Sequence, residues 1–166
     1  MADVVEPTIR SRMMSRIRGK DTKPELVVRS GLFSRGLRFR LHVASLPGRP
    51  DIVIHKYRTA IFVQGCFWHA HQGCRYFKLP ASNAEFWSAK LHHNQERDIH
   101  SQTALRTGGW RVAVVWECAI RADSTSVLNL ICDFLHRDQS TIDIHERVGG
   151  GVSHRFGSGR PASLGV

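Results

Sequence analysis

Apolar residues along the chain fall into short β-branched runs separated by longer segments with helical spacing. TKPELVVRSGLFSRG (22–36) opens with Thr22 and Glu25 at capping-box spacing. Pro24 sits in the first turn, where its missing N–H costs no hydrogen bond. Leu26, Val27, Leu32 and Phe33 give that helix its apolar positions, and Gly36 its stop. LRFRLH (37–42) alternates Leu37, Phe39 and Leu41 against polar and basic residues, which predicts a half-exposed strand. DIVIH (51–55) and TAIFVQ (59–64) are β-branched and apolar, joined by a short polar KYR, and predict an antiparallel hairpin. Ser82 and Glu85 repeat the capping-box spacing and open a long helix that runs to the Gly108-Gly109 stop. WRVAVVWE (110–117) reads as a buried strand, and LNLICDFL centres a last helix over 124–136.

The hairpin requires an antiparallel pair, and the long helix before strand 110–117 supplies a crossover. The predicted fold is therefore α/β, a mixed sheet with helices on its faces. With 166 residues the chain suits one domain with a real core. Three segments are expected: a basic arm over 1–20, the folded domain over 21–137, and a polar, glycine-rich tail over 138–166 that should be disordered. No stretch approaches the roughly 20 apolar residues of a membrane span. MADVVEPTIRSR has no apolar run of the kind a secretory signal needs, so the expected compartment is the cytoplasm. There, four cysteines read as metal ligands or buried thiols before disulfides.

Charge sharpens this picture. The formal net charge is +10, and residues 1–40 carry ten basic against four acidic side chains, or +6 of that total. IRSRMMSRIRGK (9–20) holds five basic groups and no acid. A polyanion is its natural partner, through phosphate neutralisation and counterion release. Arg12, Arg16 and Arg18 are the candidate phosphate contacts.

Candidate chemistry concentrates in IFVQGCFWHAHQGC (61–74) and its surroundings. Cys66, His71 and Cys74 lie within nine residues, and Cys118 follows strand 110–117. Thiolate and imidazole are the preferred zinc ligands, and four of them close a tetrahedral structural site. Spacing alone would let His69 take the place of His71. Cys132 sits within LICDFL and reads as a core thiol. Asp51 opens its strand directly after Pro50. The hairpin can bring the exit of the partner strand, at Val63 and Gln64, beside it, with His69 just beyond. A carboxylate, a backbone carbonyl and a histidine at one sheet edge can hold Mg²⁺ and deprotonate a water. Glu25 and Asp98 are helix carboxylates that could reach the same edge. A solvent loop would not carry Phe67 and Trp68 side by side.

RGKDTKPEL (18–26), ASLPGRPDIV (44–53), GCFWH (65–69), EFW (85–87), ERD (96–98) and GWRVAVVWECA (109–119) together resemble the very short patch repair (Vsr) endonucleases, bacterial DNA mismatch nickases. The resemblance covers most of residues 8–122 and implies a restriction-endonuclease-like core. It implies that Asp51 is the metal-binding aspartate, with the Val63 backbone beside it. His69 would assist the attacking water, and Glu25, Asp98 and position 64 would surround them. It assigns zinc to Cys66, His71, Cys74 and Cys118, which gives His71 to the zinc and His69 to the reaction. Phe67, Trp68 and Trp87 would meet DNA at the mismatch as wedges, with Met14 from the arm. It further implies Mg²⁺ as catalytic ion, T:G-mismatched duplex as substrate, and work in the nucleoid of a bacterial cytoplasm; a monomer is expected, because nicking one strand needs only one. A functional link to a cytosine-5 DNA methyltransferase follows as well. Gln64 departs from the family, whose members often carry histidine or an acidic residue there; a neutral amide cannot accept a proton at neutral pH. Two other readings compete: a restriction-like nuclease of different specificity, and a zinc-stabilised DNA-binding module without catalysis.

Overall fold

The computed structural model describes residues 8–9, 12 and 19–157. Along them run α1 (Lys23–Ser34), β1 (Arg40–Leu41), β2 (Ile52–Ile54), β3 (Thr59–Gln64), α2 (Ala84–Thr107), β4 (Arg111–Trp116), α3 (Glu117–His136), β5 (Thr141–Glu146) and β6 (Val152–Phe156). The strands form one mixed sheet in chain order. β1, β2 and β3 pair antiparallel; β3, β4 and β5 pair parallel; β6 returns antiparallel to β5. The parallel pairs need crossovers, and α2 and α3 are those crossovers.

Period-two alternation on the central strands divides the core between the two faces of the sheet. Ile61, Val63, Ala113 and Val115 pack with Val28 and Leu32 of α1 and with Val127, Ile131 and Phe134 of α3. Ala60, Val112 and Val114 pack with Leu105 of α2 on the other face. At Gly31 a Cβ would come within 2.2 Å of Leu128 Cδ1, so glycine there sets how closely α1 approaches α3. Arg111 is buried at the start of β4. Its guanidinium donates to the carbonyls of Leu135 (3.1 Å), Arg137 and Gln139 (both 3.0 Å), and also to that of Phe134. It thereby satisfies carbonyls that the end of α3 leaves without helical partners, and places positive charge at the negative pole of the helix dipole. No helix among the described residues is long and apolar enough to cross a membrane.

The hairpin, the long helix and the buried strand fall where the hydrophobic pattern predicts them. Four local expectations change. The strand expected over 37–42 shrinks to two residues, because Leu37 and Phe39 turn into the core rather than alternating along a sheet edge. On α1 the buried positions are Glu25, Val28 and Leu32, while Leu26, Val27 and Phe33 face outward. α2 starts after Asn83, in the left-handed region at φ 53°, without a side-chain cap bond. α3 begins at Glu117, directly after β4, and kinks at Asp123, whose side chain accepts from the Ser126 N–H and hydroxyl. The helix predicted from 124 is the segment after that kink.

The largest correction concerns the tail. Residues 141–146 and 152–156, expected to be disordered, form β5 and β6 and complete the sheet. Ile142 and Ile144 are buried in the main core, and β5 pairs with β4 from Thr141 to Ile144. The folded domain therefore extends well past residue 137.

Candidate active site and cysteine–histidine cluster

Pro50 is buried and delivers Asp51 to the first position of the β2–β3 hairpin. Asp51 Oδ2 accepts the Val63 N–H at 2.7 Å, which ties the carboxylate to the exit of β3. Burial pushes the Asp51 carboxyl up to about 6. The Val63 N–H opposes that rise, the Glu25 carboxylate adds to it, and His42 and His69 oppose it. Glu25 and His69, remote in sequence, thus both lie near enough to act on Asp51, which Val63 meets through its backbone.

His69 follows from a tight turn after β3, closed by its N–H to the Gly65 carbonyl at 3.2 Å. Its Nδ1 lies 2.5 Å from Asp98 Oδ2. Asp98 comes from the middle of α2, on the stripe Leu91, Asp98, Ser101, Leu105 that a 3.6-residue period turns toward the sheet. Two amides near it hold the turn: Asn94 Nδ2 donates to the Trp68 carbonyl at 3.0 Å and Gln95 Nε2 to the Ala70 carbonyl at 3.1 Å. Gln64, 4% exposed, lies on the α2 side of β3. It lines a cavity of about 390 Å³ together with His69, Gln95, Asp98 and Gln102.

Glu25 is only 3% exposed, and its carboxylate is fully engaged. Oε2 accepts the Asp21 N–H at 2.9 Å and Arg29 Nη2 at 2.8 Å, while Oε1 accepts the Thr22 hydroxyl at 3.1 Å. The expected capping box is thus present in altered form, with the reaching-back oxygen spent on the residue before the cap.

The loop after β3 gathers a second group. Cys66, His71, Cys74 and Cys118 each point one ligand atom inward, all within 4.8 Å of one another. His71 Nδ1 lies 3.5 Å from Sγ of both Cys66 and Cys118. The His71 N–H to the Cys66 carbonyl (2.9 Å) and the Cys74 N–H to the His71 carbonyl (3.2 Å) fold the loop around these atoms. A hydrogen bond from Cys66 lowers the Cys118 thiol, with His71 and the Glu146 N–H adding to the effect. The same bond, with burial, pushes the Cys66 thiol up. Three soft sulfurs and one imidazole at this separation suit a single metal ion. His69 stays outside the group and pairs with Asp98, so the ambiguity left by spacing resolves to His71. Cys132 stands apart, half-buried on α3.

A family model described as DNA mismatch endonuclease Vsr matches residues 2–75, which include Glu25, Asp51, His69 and three of the four cluster ligands. The DNA mismatch endonuclease Vsr of Escherichia coli K12 is 50% identical over 121 residues, covering 73% of this chain and 77% of that protein. The type II nicking enzyme V.XorIIP of Xanthomonas oryzae pv. oryzae is 50% identical over 120 residues, 72% of this chain and 88% of its own length. The type II nicking enzyme V.NmeAIP of Neisseria meningitidis is 44% identical over 121 residues, 73% and 86% of the two chains. The chain belongs to the Vsr family.

Around this Vsr site the aromatic residues form one group. Phe67 packs edge-on against Trp68 (5.2 Å between centroids) and Trp87 (5.6 Å), and Trp68 lies 6.1 Å from Trp87. Lys90 Nζ sits 5.6 Å over Trp68 and 5.4 Å over Trp87. All three rings are half-buried. In the arm, Arg12 is exposed and helical, whereas Met14, Arg16 and Arg18 lie outside the described residues.

Several partners were not legible in the sequence. His71 stacks on Trp116 at 4.0 Å and 9°, and Trp116 Nε1 donates to Asp143 Oδ2 at 3.0 Å. Asp143 Oδ1 in turn meets His145 Nδ1 at 3.0 Å, and the Glu146 N–H donates to Cys118 Sγ at 3.3 Å. These come from β5, which a disordered tail would not supply. The alternation of Ile142 and Ile144 was the available signal. Arg29 and His42 beside Glu25 left no signal beyond their basic character.

Proposed function

We propose that this chain is a DNA mismatch endonuclease that nicks one strand of duplex DNA next to a T:G mismatch, starting very short patch repair. Its sheet and flanking helices are read as a restriction-endonuclease-like core. The observation that carries the reading is the convergence of Asp51, the Val63 backbone and the His69–Asp98 pair at the exit of one hairpin.

Asp51 and the backbone at Val63 would hold a divalent ion, Mg²⁺ by the chemistry of oxygen donors. The fit rests on a half-buried carboxylate whose Oδ2 takes the Val63 N–H and whose Oδ1 lies 3.9 Å from His42 Nδ1, with the Glu25 charge nearby. When bound, the ion supplies charge neutralisation at the scissile phosphate. Asp98 holds the proton of His69 on Nδ1 and leaves Nε2 to take a proton from the attacking water. Gln64 can orient a water but cannot deprotonate it. Cys66, His71, Cys74 and Cys118 would hold a structural zinc that pins the loop bearing His69, Phe67 and Trp68. Phe67, Trp68 and Trp87, with Met14, are assigned to the DNA wedge, and Arg12, Arg16 and Arg18 to phosphates. The chain is read as a monomer, since a nick needs one site, in functional company with a cytosine-5 DNA methyltransferase.

The test is purified protein with Mg²⁺ on strand-labelled duplexes that differ only as T:G and T:A, resolved on denaturing gels. A cut in one strand of the T:G duplex alone is expected. Cleavage of both duplexes at equal rates would transfer the chain to the restriction-like reading, and binding without any cleavage would leave a DNA-binding module.

A further inference from the structure

Asp21, Glu25 and His42 form a second group whose ligand atoms lie within 4.8 Å of one another, next to Asp51. Such a group attracts a divalent cation, and here its centre is already taken. Arg29 Nη1 lies 2.6 Å from Asp21 Oδ1, and Nη2 lies 2.8 Å from both Glu25 Oε2 and His42 Nε2. The fork is committed to these three groups at the expense of its own Nε, which is buried without a partner among the described residues.

A guanidinium only donates, so His42 Nε2 is the acceptor and the ring proton sits on Nδ1. That nitrogen faces Asp51 Oδ1 at 3.9 Å. The His42 backbone is held in the left-handed region, at φ 47°, with its N–H donated to the Asp51 carbonyl at 3.3 Å. The ring is thus fixed between the Arg29 group and Asp51 by its own backbone. A buried carboxylate such as Glu25 needs a counter-charge, and a bidentate arginine meets that need without the flexibility of lysine.

We propose that Arg29 occupies the place of a second divalent cation: its guanidinium closes the Asp21–Glu25–His42 group and confines ion binding at this edge of the sheet to Asp51. The role of Asp51 as the remaining ion ligand rests on the function proposed above, but the closed site itself does not. Removing the guanidinium should open a site of two carboxylates and one imidazole, a donor set suited to Mn²⁺.

The experiment is an electron spin resonance titration of free Mn²⁺ with the zinc-loaded full chain, without DNA. Arg29→Met should take up one more equivalent of Mn²⁺ per chain than the parent protein. Adding Glu25→Gln should remove that extra ion, whereas adding Asp51→Asn should leave it in place, which separates this inference from the reading of Asp51. Arg29→Lys, which keeps a cation in the group, should gain none. A folded Arg29→Met with parental uptake would overturn the proposal, as would an extra ion in Arg29→Lys. If Arg29→Met is unfolded without metal, millimolar Mn²⁺ should restore its circular dichroism spectrum, and no recovery would count against the proposal equally.

Discussion

His69 Nδ1 and Asp98 Oδ2 lie 2.5 Å apart, and the two residues reach each other from a loop and from the middle of a helix. A carboxylate in that position fixes the tautomer and aims the other ring nitrogen outward. His69→Ala should therefore lower the single-turnover nicking rate by roughly 10²–10⁴. Asp98→Asn keeps the ring in place but loosens its orientation, and should cost about 10–10². Mismatched-duplex binding should stay nearly parental in both. Parental rates in His69→Ala would remove it from the reaction.

Asp51 titrates from a carboxyl raised above 3.8 to about 6, chiefly by burial. Without a divalent ion the sign is destabilising above that range. Below about pH 4 the folded and unfolded states both hold the proton and the shift costs nothing. Between about pH 4 and 6 the unfolded state ionises first, so stability falls as pH rises, by at most about 3 kcal/mol, and the loss is constant above pH 6. Asp51→Asn should then be more stable than the parent protein at pH 7 in denaturant unfolding without added divalent ion. The difference should vanish near pH 4. Under the proposed function, Asp51→Ala should abolish nicking while DNA binding persists, because the substitution would remove a metal ligand and spare the residues assigned to phosphates.

How legible this site was depends on the kind of signal each residue sends. Asp51 and Val63 follow from a hairpin whose register is fixed by an apolar alternation. Cys66, His71, Cys74 and Cys118 announce themselves by residue type, and three are neighbours in the chain. Asp98 and Glu25 needed the resemblance, because a carboxylate on a helix is usually solvated. Arg29 and His42 were invisible: one looks like a surface cation, and the other depends on a left-handed backbone at a position that read as strand. β5 was lost for a different reason. TIDIHE alternates as a strand should, but the glycine-rich run behind it dominated the composition of the segment. That glycine run is a turn, with Gly149, Gly150 and Gly151 all at positive φ, leading into β6.

The cysteine–histidine group predicts one zinc per chain by elemental analysis. Of these four residues Cys118 is the one that joins the loop to α3 and β5, so its removal should do more than lower metal affinity. Cys118→Ala should lose the zinc and unfold at a clearly lower temperature, since metal binding and loop folding are coupled. Protein purified without zinc, or an unchanged Tm in Cys118→Ala, would contradict the assignment.

Replacing Arg12, Arg16 and Arg18 together by alanine should weaken binding to T:G and T:A duplexes alike. The slope of log K against log salt should flatten by about 0.9 for each phosphate that is no longer neutralised. An unchanged slope would leave the arm without a role in binding.

Phe67, Trp68 and Trp87 support one another, with centroid separations of 5.2 to 6.1 Å, so the wedge assignment must be separated from simple packing. An apolar wedge unstacks a base step at a cost of a few kcal/mol, and a mismatched step opens more cheaply than a matched one. The gain in stacking is about 1–3 kcal/mol per base, which corresponds to roughly 10- to 100-fold in preference for T:G over T:A. Phe67→Ala/Trp68→Ala should lose most of that preference. It should also lose some stability, because half-buried rings are removed. Phe77 provides the control: its ring lies 6.5 Å from Phe67. Phe77→Ala should lower Tm while keeping the T:G preference if the wedge acts on DNA. If the double variant stays folded, keeps its zinc and retains full preference, the aromatic group is only a local core. If Phe77→Ala loses preference as strongly as the double variant, packing rather than intercalation sets the discrimination.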